Sequence, residues 1–312
     1  MAATSGAPVG EPLRDRFRPA LPTDLRLTFG HLARGSADPV MRILPGGVAV
    51  IRTMRTPDGP ATLEVRRDGD HLATAAWGPG AERAIAQAPV LCGARDSLEG
   101  FVPRHRVVAD LHRRLGGLRM ARHGSVVDGL LVAVLEQKWT GKEAVRAWMR
   151  VLRALGEAAP GPFPQLRVSP APEVLAATPY WTFHAFGVER RRAELLRRIG
   201  ARGRWLEEAA GLPAQAMEDR LRSLPGVGAW TTAEVRLNAL GDADAVSVGD
   251  YNLPSVVAWA LTGERSADDA RMLELLEPYR GHRGRVIRLL VAGHVMPERR
   301  GPRMAVRDIA RL

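Results

Sequence analysis

Residues 224–235 read LPGVGAWTTAEV, and they follow MEDRLRSL at 217–224. MEDRLRSL carries apolar residues at helical spacing, PGVG is a turn signal, and AWTTAEVRLNAL resumes helical spacing. The stretch therefore reads as helix, tight turn, helix. Gly226 and Gly228 permit positive φ and carry no Cβ to block a close approach. The start of the second helix carries unpaired N–H groups and partial positive charge. Gly226, Val227, Gly228 and Thr231 are thus candidates for holding one phosphate of a nucleic-acid backbone. The same residues also fit a plain capping glycine between two helices.

Composition narrows the field. The chain has 312 residues, 46% hydrophobic and 25% charged, as expected of a folded globular protein with substantial cores. The opening residues lack a basic start followed by an apolar run, and the longest apolar stretch, VVDGLLVAVL, is too short to span a bilayer and contains Asp128. A cytoplasmic, nucleoid-associated protein is expected. Cys92 is the only cysteine, which excludes an internal disulfide and an iron–sulfur cluster ligated by cysteines. The 45 basic residues outnumber 34 acidic ones, for a net charge of +11, and Lys138 and Lys142 are the only lysines. Such a chain is attracted to polyanions, nucleic acid foremost.

The expected fold class is α+β. Residues 1–19, rich in Pro, Gly and Ala, are expected to be disordered. Residues 20–102 carry short β-like runs (DLRLTFG, GVAVIRTMR, ATLEVRRDG, HLATAAWG) between turn signals, and GAERAIAQAPVL offers a helix beside them. Together they predict an antiparallel sheet domain. Residues 103–296 are helical throughout, broken by short Gly or Pro turns, and 297–312 form a basic tail. His282 and His294 do not stand at a metal-ligand spacing.

Downstream of the second helix lies DADAVSVGDYNLPSVVAWAL, which places Asp250 twenty positions after Trp230, in a loop leading into another helix. An aspartate there suits a helix cap. It also suits stabilising positive charge on a sugar ring, or activating a water. LPGVGAWTTAEV followed by VSVGDYNLP resembles the helix–hairpin–helix DNA glycosylases, in particular the AlkA-type 3-methyladenine branch. VLEQKWTGKEAVRAW and VERRRAELLRRI extend the resemblance, which covers roughly residues 22–296.

The resemblance implies a partial TBP-like N-terminal sheet followed by an all-α helix–hairpin–helix domain, acting as a monomer on damaged double-stranded DNA. It implies that Asp250 stabilises an oxocarbenium-like state at a flipped nucleotide. Trp230, Tyr251, Gln137 and Trp139 become candidates for the base pocket. Strand-cutting relatives place a lysine where Trp230 stands, so the chain reads as monofunctional. Relatives place an apolar wedge after the glutamine, and here that position is Lys138, a departure that leaves the wedge unassigned. The family's hairpin can hold a monovalent cation through backbone carbonyls, here those of residues 221–228; no other cofactor is implied. No strong general acid is evident, which favours alkylated purines, whose bond to the sugar is already weakened. Two alternatives stay open: a DNA-binding protein without activity, and a glycosylase/lyase using Lys138.

Overall fold

The structure, a computed structural model, describes residues 10–137 and 141–297. Five strands form one antiparallel sheet: β1 (Leu13–Phe17), β2 (Met41–Ile43), β3 (Ala49–Thr56), β4 (Gly59–Asp68) and β5 (His71–Trp77), in the order β1-β5-β4-β3-β2. The β3–β4 and β4–β5 connections are tight hairpins, with Thr56 opposite Gly59 and Asp68 opposite His71. Helices α1 (Leu25–Phe29) and α2 (Ala81–Leu91) belong to this part of the chain.

Two expectations are corrected here. DLRLTFG is helix α1 rather than a strand: Asp24 accepts the Leu27 N–H at 2.9 Å, an N-cap that fixes a helical start, and Leu25 and Phe29 are fully buried. Leu13–Phe17, within the segment expected to be disordered, is edge strand β1, with Leu13 opposite Ala76 and Phe17 opposite Leu72. Its LRDRF sequence leaves four of five residues exposed, so little apolar patterning marks it as a strand.

The remainder is mainly helical: α3 (Arg106–Arg114), α4 (Val126–Glu136), α5 (Gly141–Leu155), α6 (Pro172–Ala177), α7 (Tyr180–Ala185), α8 (Arg190–Ala201), α9 (Gly203–Glu207), α10 (Ala214–Arg222), α11 (Ala229–Leu240), α12 (Leu253–Thr262), α13 (Asp269–Leu276) and α14 (Arg283–Ala292). A two-stranded ribbon, β6 (Glu157–Ala158) with β7 (Arg167–Val168), lies among them. The ribbon docks on the large sheet, with Thr53 donating to the Arg167 carbonyl at 2.7 Å and Arg55 to that of Ser169 at 2.8 Å.

Packing divides the molecule differently from the sequence. One apolar core joins the sheet and α2 to α4, α5 and α8, through residues such as Leu63, Leu91, Leu131, Leu152 and Leu196. A second core gathers α3, α12, α13 and α14 around Val108, Val257, Met272 and Leu290. Helix α11 faces both: Val235 and Ala239 belong to the first core and Leu237 to the second. It lies close against α4 because Gly129 has no side chain; a Cβ there would stand 3.0 Å from that of Ala239.

A buried ionic cluster fixes α14. Arg285, 2% exposed, grips the Asp96 carboxylate with both terminal nitrogens and donates to the Ser97 carbonyl at 2.9 Å. Arg119 approaches the same carboxylate at 3.8 Å and donates to the Pro22 carbonyl at 2.9 Å. Removing one partner would strand buried charge. Asp96→Ala is therefore expected to lower unfolding free energy by about 3–5 kcal/mol in chemical denaturation, far more than loss of an exposed pair.

Candidate active site

The hairpin forms as the sequence predicts, between α10 and α11. Gly226 has φ +103°, a conformation that only glycine adopts without strain, and an added Cβ would stand 3.1 Å from the Leu195 side chain. Gly228, by contrast, is extended at φ −105° and ψ −173°, so it is its missing side chain that matters. An added Cβ there would meet open space, and the start of α11 has no side-chain cap. The N–H groups are not all open, however. That of Val227 donates to the Leu224 carbonyl at 2.9 Å, closing the turn. Thr231 is buried and its hydroxyl accepts from Gln137 at 2.9 Å, so only its backbone could serve a phosphate. Exposed Arg198 lies beside the turn and donates to the Pro225 carbonyl at 3.4 Å. The Gly226 carbonyl accepts from Gln137 at 3.0 Å.

The loop after α11 is tied down at several points. Asp242 pairs with Arg236 at 2.6 Å. Asp244 accepts from Gly281 and from the Arg283 guanidinium, each at 2.8 Å. Ser247 donates to Glu234 at 2.5 Å, and the Gly249 N–H donates to Asp269 at 3.0 Å. This leads to Asp250, whose Oδ1 accepts the N–H groups of Asn252 at 2.8 Å and Leu253 at 3.0 Å, at the start of α12. Its Oδ2 accepts from the Trp230 indole at 3.2 Å. The capping reading and the site reading therefore apply to the same carboxylate, one oxygen turned to the helix and the other to the indole. Asp250 enters no ion pair among the described residues.

Asp250 lines a cavity of about 340 Å³ where the two cores meet. Its walls come from the segment after α1 (His31, Arg34), the end of α4 (Glu136), α11 (Glu234, Asn238) and α14 (Arg288). Arg34 pairs with Glu136 at 2.8 Å. Glu234 accepts from Ser247 and from Asn238, the latter at 2.8 Å. Burial raises the Glu234 pKa, nearby Glu136 adds to this, and its hydrogen bonds and Arg34 oppose it. Burial, reinforced by Arg288 and Arg34, lowers the His31 pKa well below the usual histidine value, so the ring is neutral at pH 7.

The aromatic pocket expected from the sequence is not what lines this space. Trp230 supports Asp250 from beside the cavity rather than lining it, and Tyr251 is 93% exposed and does not line it. The side-chain NH2 of Gln137 donates to the Gly226 carbonyl and to the Thr231 hydroxyl, which makes it a staple between α4 and the turn. Lys138 and Trp139 lie outside the described residues. Part of the wall was legible: Glu234 and Asn238 follow Trp230 at steps of four residues, on one face of α11. His31 and Arg34 arrive from the sheet side of the chain, and Arg288 from α14; no local pattern links them to Asp250. Among the described residues, no three His, Cys, Asp or Glu side chains are grouped to hold a metal ion, and no helix is long and apolar enough to cross a membrane.

No family model matches the chain, and no curated protein matches it in sequence. Solved structures do match in shape. The 3-methyladenine DNA-glycosylase from Archaeoglobus fulgidus superposes with a TM-score of 0.73 at 16% identity, over 90% of this chain and 98% of that one. The fold is that of the helix–hairpin–helix DNA glycosylases. The Clostridium acetobutylicum 8-oxoguanine glycosylase/lyase shares it, at TM-score 0.69 and 13% identity over 91% of this chain and 99% of that one. So does Schizosaccharomyces pombe Mag1, a 3-methyladenine DNA glycosylase solved with abasic DNA, at TM-score 0.51 and 18% identity over 62% and 92%. Within this glycosylase fold the N-terminal sheet and the helical part are both accounted for.

Two outcomes follow from the loop's bonding. Asp250→Ala uncaps α12 and is expected to lower stability by about 0.5–2 kcal/mol, whereas Asp250→Asn keeps an acceptor oxygen and loses less, as thermal unfolding would show. For Asp244, burial pushes the pKa up, but the hydrogen bonds and charge of Arg283 outweigh it, and the pKa falls below the ordinary 3.8. A depressed carboxyl pKa stabilises the fold above the unfolded value and loses that contribution as pH falls through the folded one. Asp244→Asn is therefore expected to flatten the acid limb of a melting temperature–pH profile below about pH 4.

Proposed function

We propose that the protein is a monofunctional DNA glycosylase that flips damaged purine nucleotides out of duplex DNA and hydrolyses the bond between base and sugar. The observation that carries this reading is the place of Asp250: it lines the junction cavity and is bonded to the indole of Trp230, two residues beyond the hairpin's second glycine. A strand held at the uncapped start of α11 would thus present an extruded nucleotide to this carboxylate. Arg198 and Arg222, exposed beside the turn, supply phosphate contacts.

Flipping costs a few kcal/mol, least for a base whose pairing is already damaged. Cleavage passes through an oxocarbenium-like state. Asp250 stabilises that cation and orients the water that bonds to C1′. Its three hydrogen bonds fix its direction in advance, so little reorganisation accompanies the reaction. The lyase relatives' lysine position holds Trp230, which cannot form a Schiff base, so the product is an intact strand with an abasic site. Alkylated purines of the 3-methyladenine type are the first substrates, because a cationic base departs without a strong general acid. The protein is expected to act as a monomer.

In a release assay on methylated duplex DNA, Asp250→Asn is expected to lose at least about 100-fold in rate while still binding the duplex. Release at the parent rate would refute the reading. Arg198→Glu is expected to weaken binding to all sequences and to reduce the slope of log affinity against log salt by about 1 in a titration series.

A further inference from the structure

Helix α5 has a solvent face unlike those of its neighbours. Its apolar side is buried through Ala147, Trp148 and Val151. On the other side Lys142, Arg146, Arg150 and Arg153 are exposed. They follow one another at steps of four, four and three residues, which sets them in one stripe along the helix. No acid interrupts it: Glu143, the acid of the first turn, stands about 100° round the helix from Lys142 and is half-buried. Elsewhere exposed arginines are paired along their own helix, Arg106 and Arg113 with Asp110 on α3, Arg190 with Glu194 on α8, and Arg222 with Glu218 on α10. Lys142, Arg146 and Arg153 enter no hydrogen bond or ion pair among the described residues. Like charges at this spacing weaken the helix that carries them, and a face of one sign draws a polyanion.

Resting on the reading of the hairpin as a strand grip, we propose that the α5 stripe is a second contact surface for duplex DNA, meeting backbone phosphates outside the gripped nucleotide. Its position suits this. Helix α5 begins four residues after Gln137, whose side chain is bonded to the hairpin. Arg192 ties the same end together, donating to the Gln137 carbonyl and feeling the charge of Glu143. From there α5 leads to the β6–β7 ribbon, which is docked on the large sheet. The stripe runs for about 16 Å, the length of about five base pairs of duplex. Its chemistry also favours this partner. Among the described residues none of the exposed large apolar side chains lies on α5, so the stripe offers no anchor to a membrane surface or to a protein hot spot. A phosphate backbone asks for charge alone and carries no sequence information. The contact therefore adds affinity for undamaged and damaged duplex alike, which serves a protein that must travel along DNA before it meets a lesion.

The test is binding of the full chain to an undamaged duplex over a series of salt concentrations, together with base release from methylated duplex at saturating enzyme. In the triple variant Lys142→Gln, Arg146→Gln, Arg153→Gln, the slope of log affinity against log salt is expected to fall in magnitude by about 3, one for each charge removed. Release at saturation is expected to stay at the parent rate, because the stripe stands apart from the Asp250 cavity. A second triple variant, Lys142→Arg, Arg146→Lys, Arg153→Lys, keeps the charges and is expected to keep the slope. An unchanged slope in the neutral variant overturns the proposal. So does an equal loss in the charge-keeping variant, which would make the effect structural, and so does a fall in saturating release as large as the fall in affinity. Phosphatidylserine vesicles and polyglutamate serve as rival polyanions: a neutral variant that loses either while keeping its duplex slope gives the stripe to that partner instead. A wild type that releases no base from methylated duplex, with the slope still reduced in the neutral variant, overturns the glycosylase reading and leaves the stripe as a duplex contact. A wild type that binds no duplex overturns both.

Discussion

The arrangement of the site depends on one carboxylate held from two sides. Asp250 is fixed by the N–H groups that open α12 and by the indole of a residue in the first turn of α11. The capping bonds set where the acid lies along the chain, and the indole sets how far it lies from the hairpin. The loop before it is pinned at Asp242, Asp244, Ser247 and Gly249, so the carboxylate is a rigid feature although it stands in a loop. Rigid placement is what electrostatic stabilisation of a transient cation requires, because a side chain that must turn towards the charge gives back part of its benefit.

The two cores explain why a cavity exists here. Each core is closed by its own apolar side chains, and α11 is shared between them. Where the cores part, polar and charged side chains from five separate segments meet instead of interlocking, and about 340 Å³ is left open. Of the charged groups that line it, Arg34 and Glu136 neutralise one another. Glu234, Asp250 and Arg288 remain, so both signs stand in one cavity. A reaction that separates a cationic sugar from an electron-rich base has use for both signs.

Much of this was legible in the sequence because the hairpin and its acid are local patterns. Gly226 needs its positive φ, the helical periodicity on either side is plain, and Asp250 precedes a helix in the way that capping aspartates do. The order of sheet and helices was legible for the same reason. What was hidden was long-range. Leu25–Phe29 reads as a strand until Asp24 is seen to cap it, and LRDRF is a strand only because β5 offers an edge. The cavity wall draws on residues 31, 34, 136, 234, 238 and 288, which only folding brings together. Of the aromatic residues expected in the pocket, Trp230 is bonded to Asp250 and Tyr251 is exposed.

Gln137 ends α4 and spends both hydrogens of its amide on the hairpin, one on the Gly226 carbonyl and one on the Thr231 hydroxyl, while Arg192 holds its own carbonyl. The place where α4 stops and the place where the strand would be gripped are therefore a single mechanical unit. Neither can slide past the other without breaking both bonds, so the end of α4 and the turn keep one register, like a caliper jaw fixed to its scale.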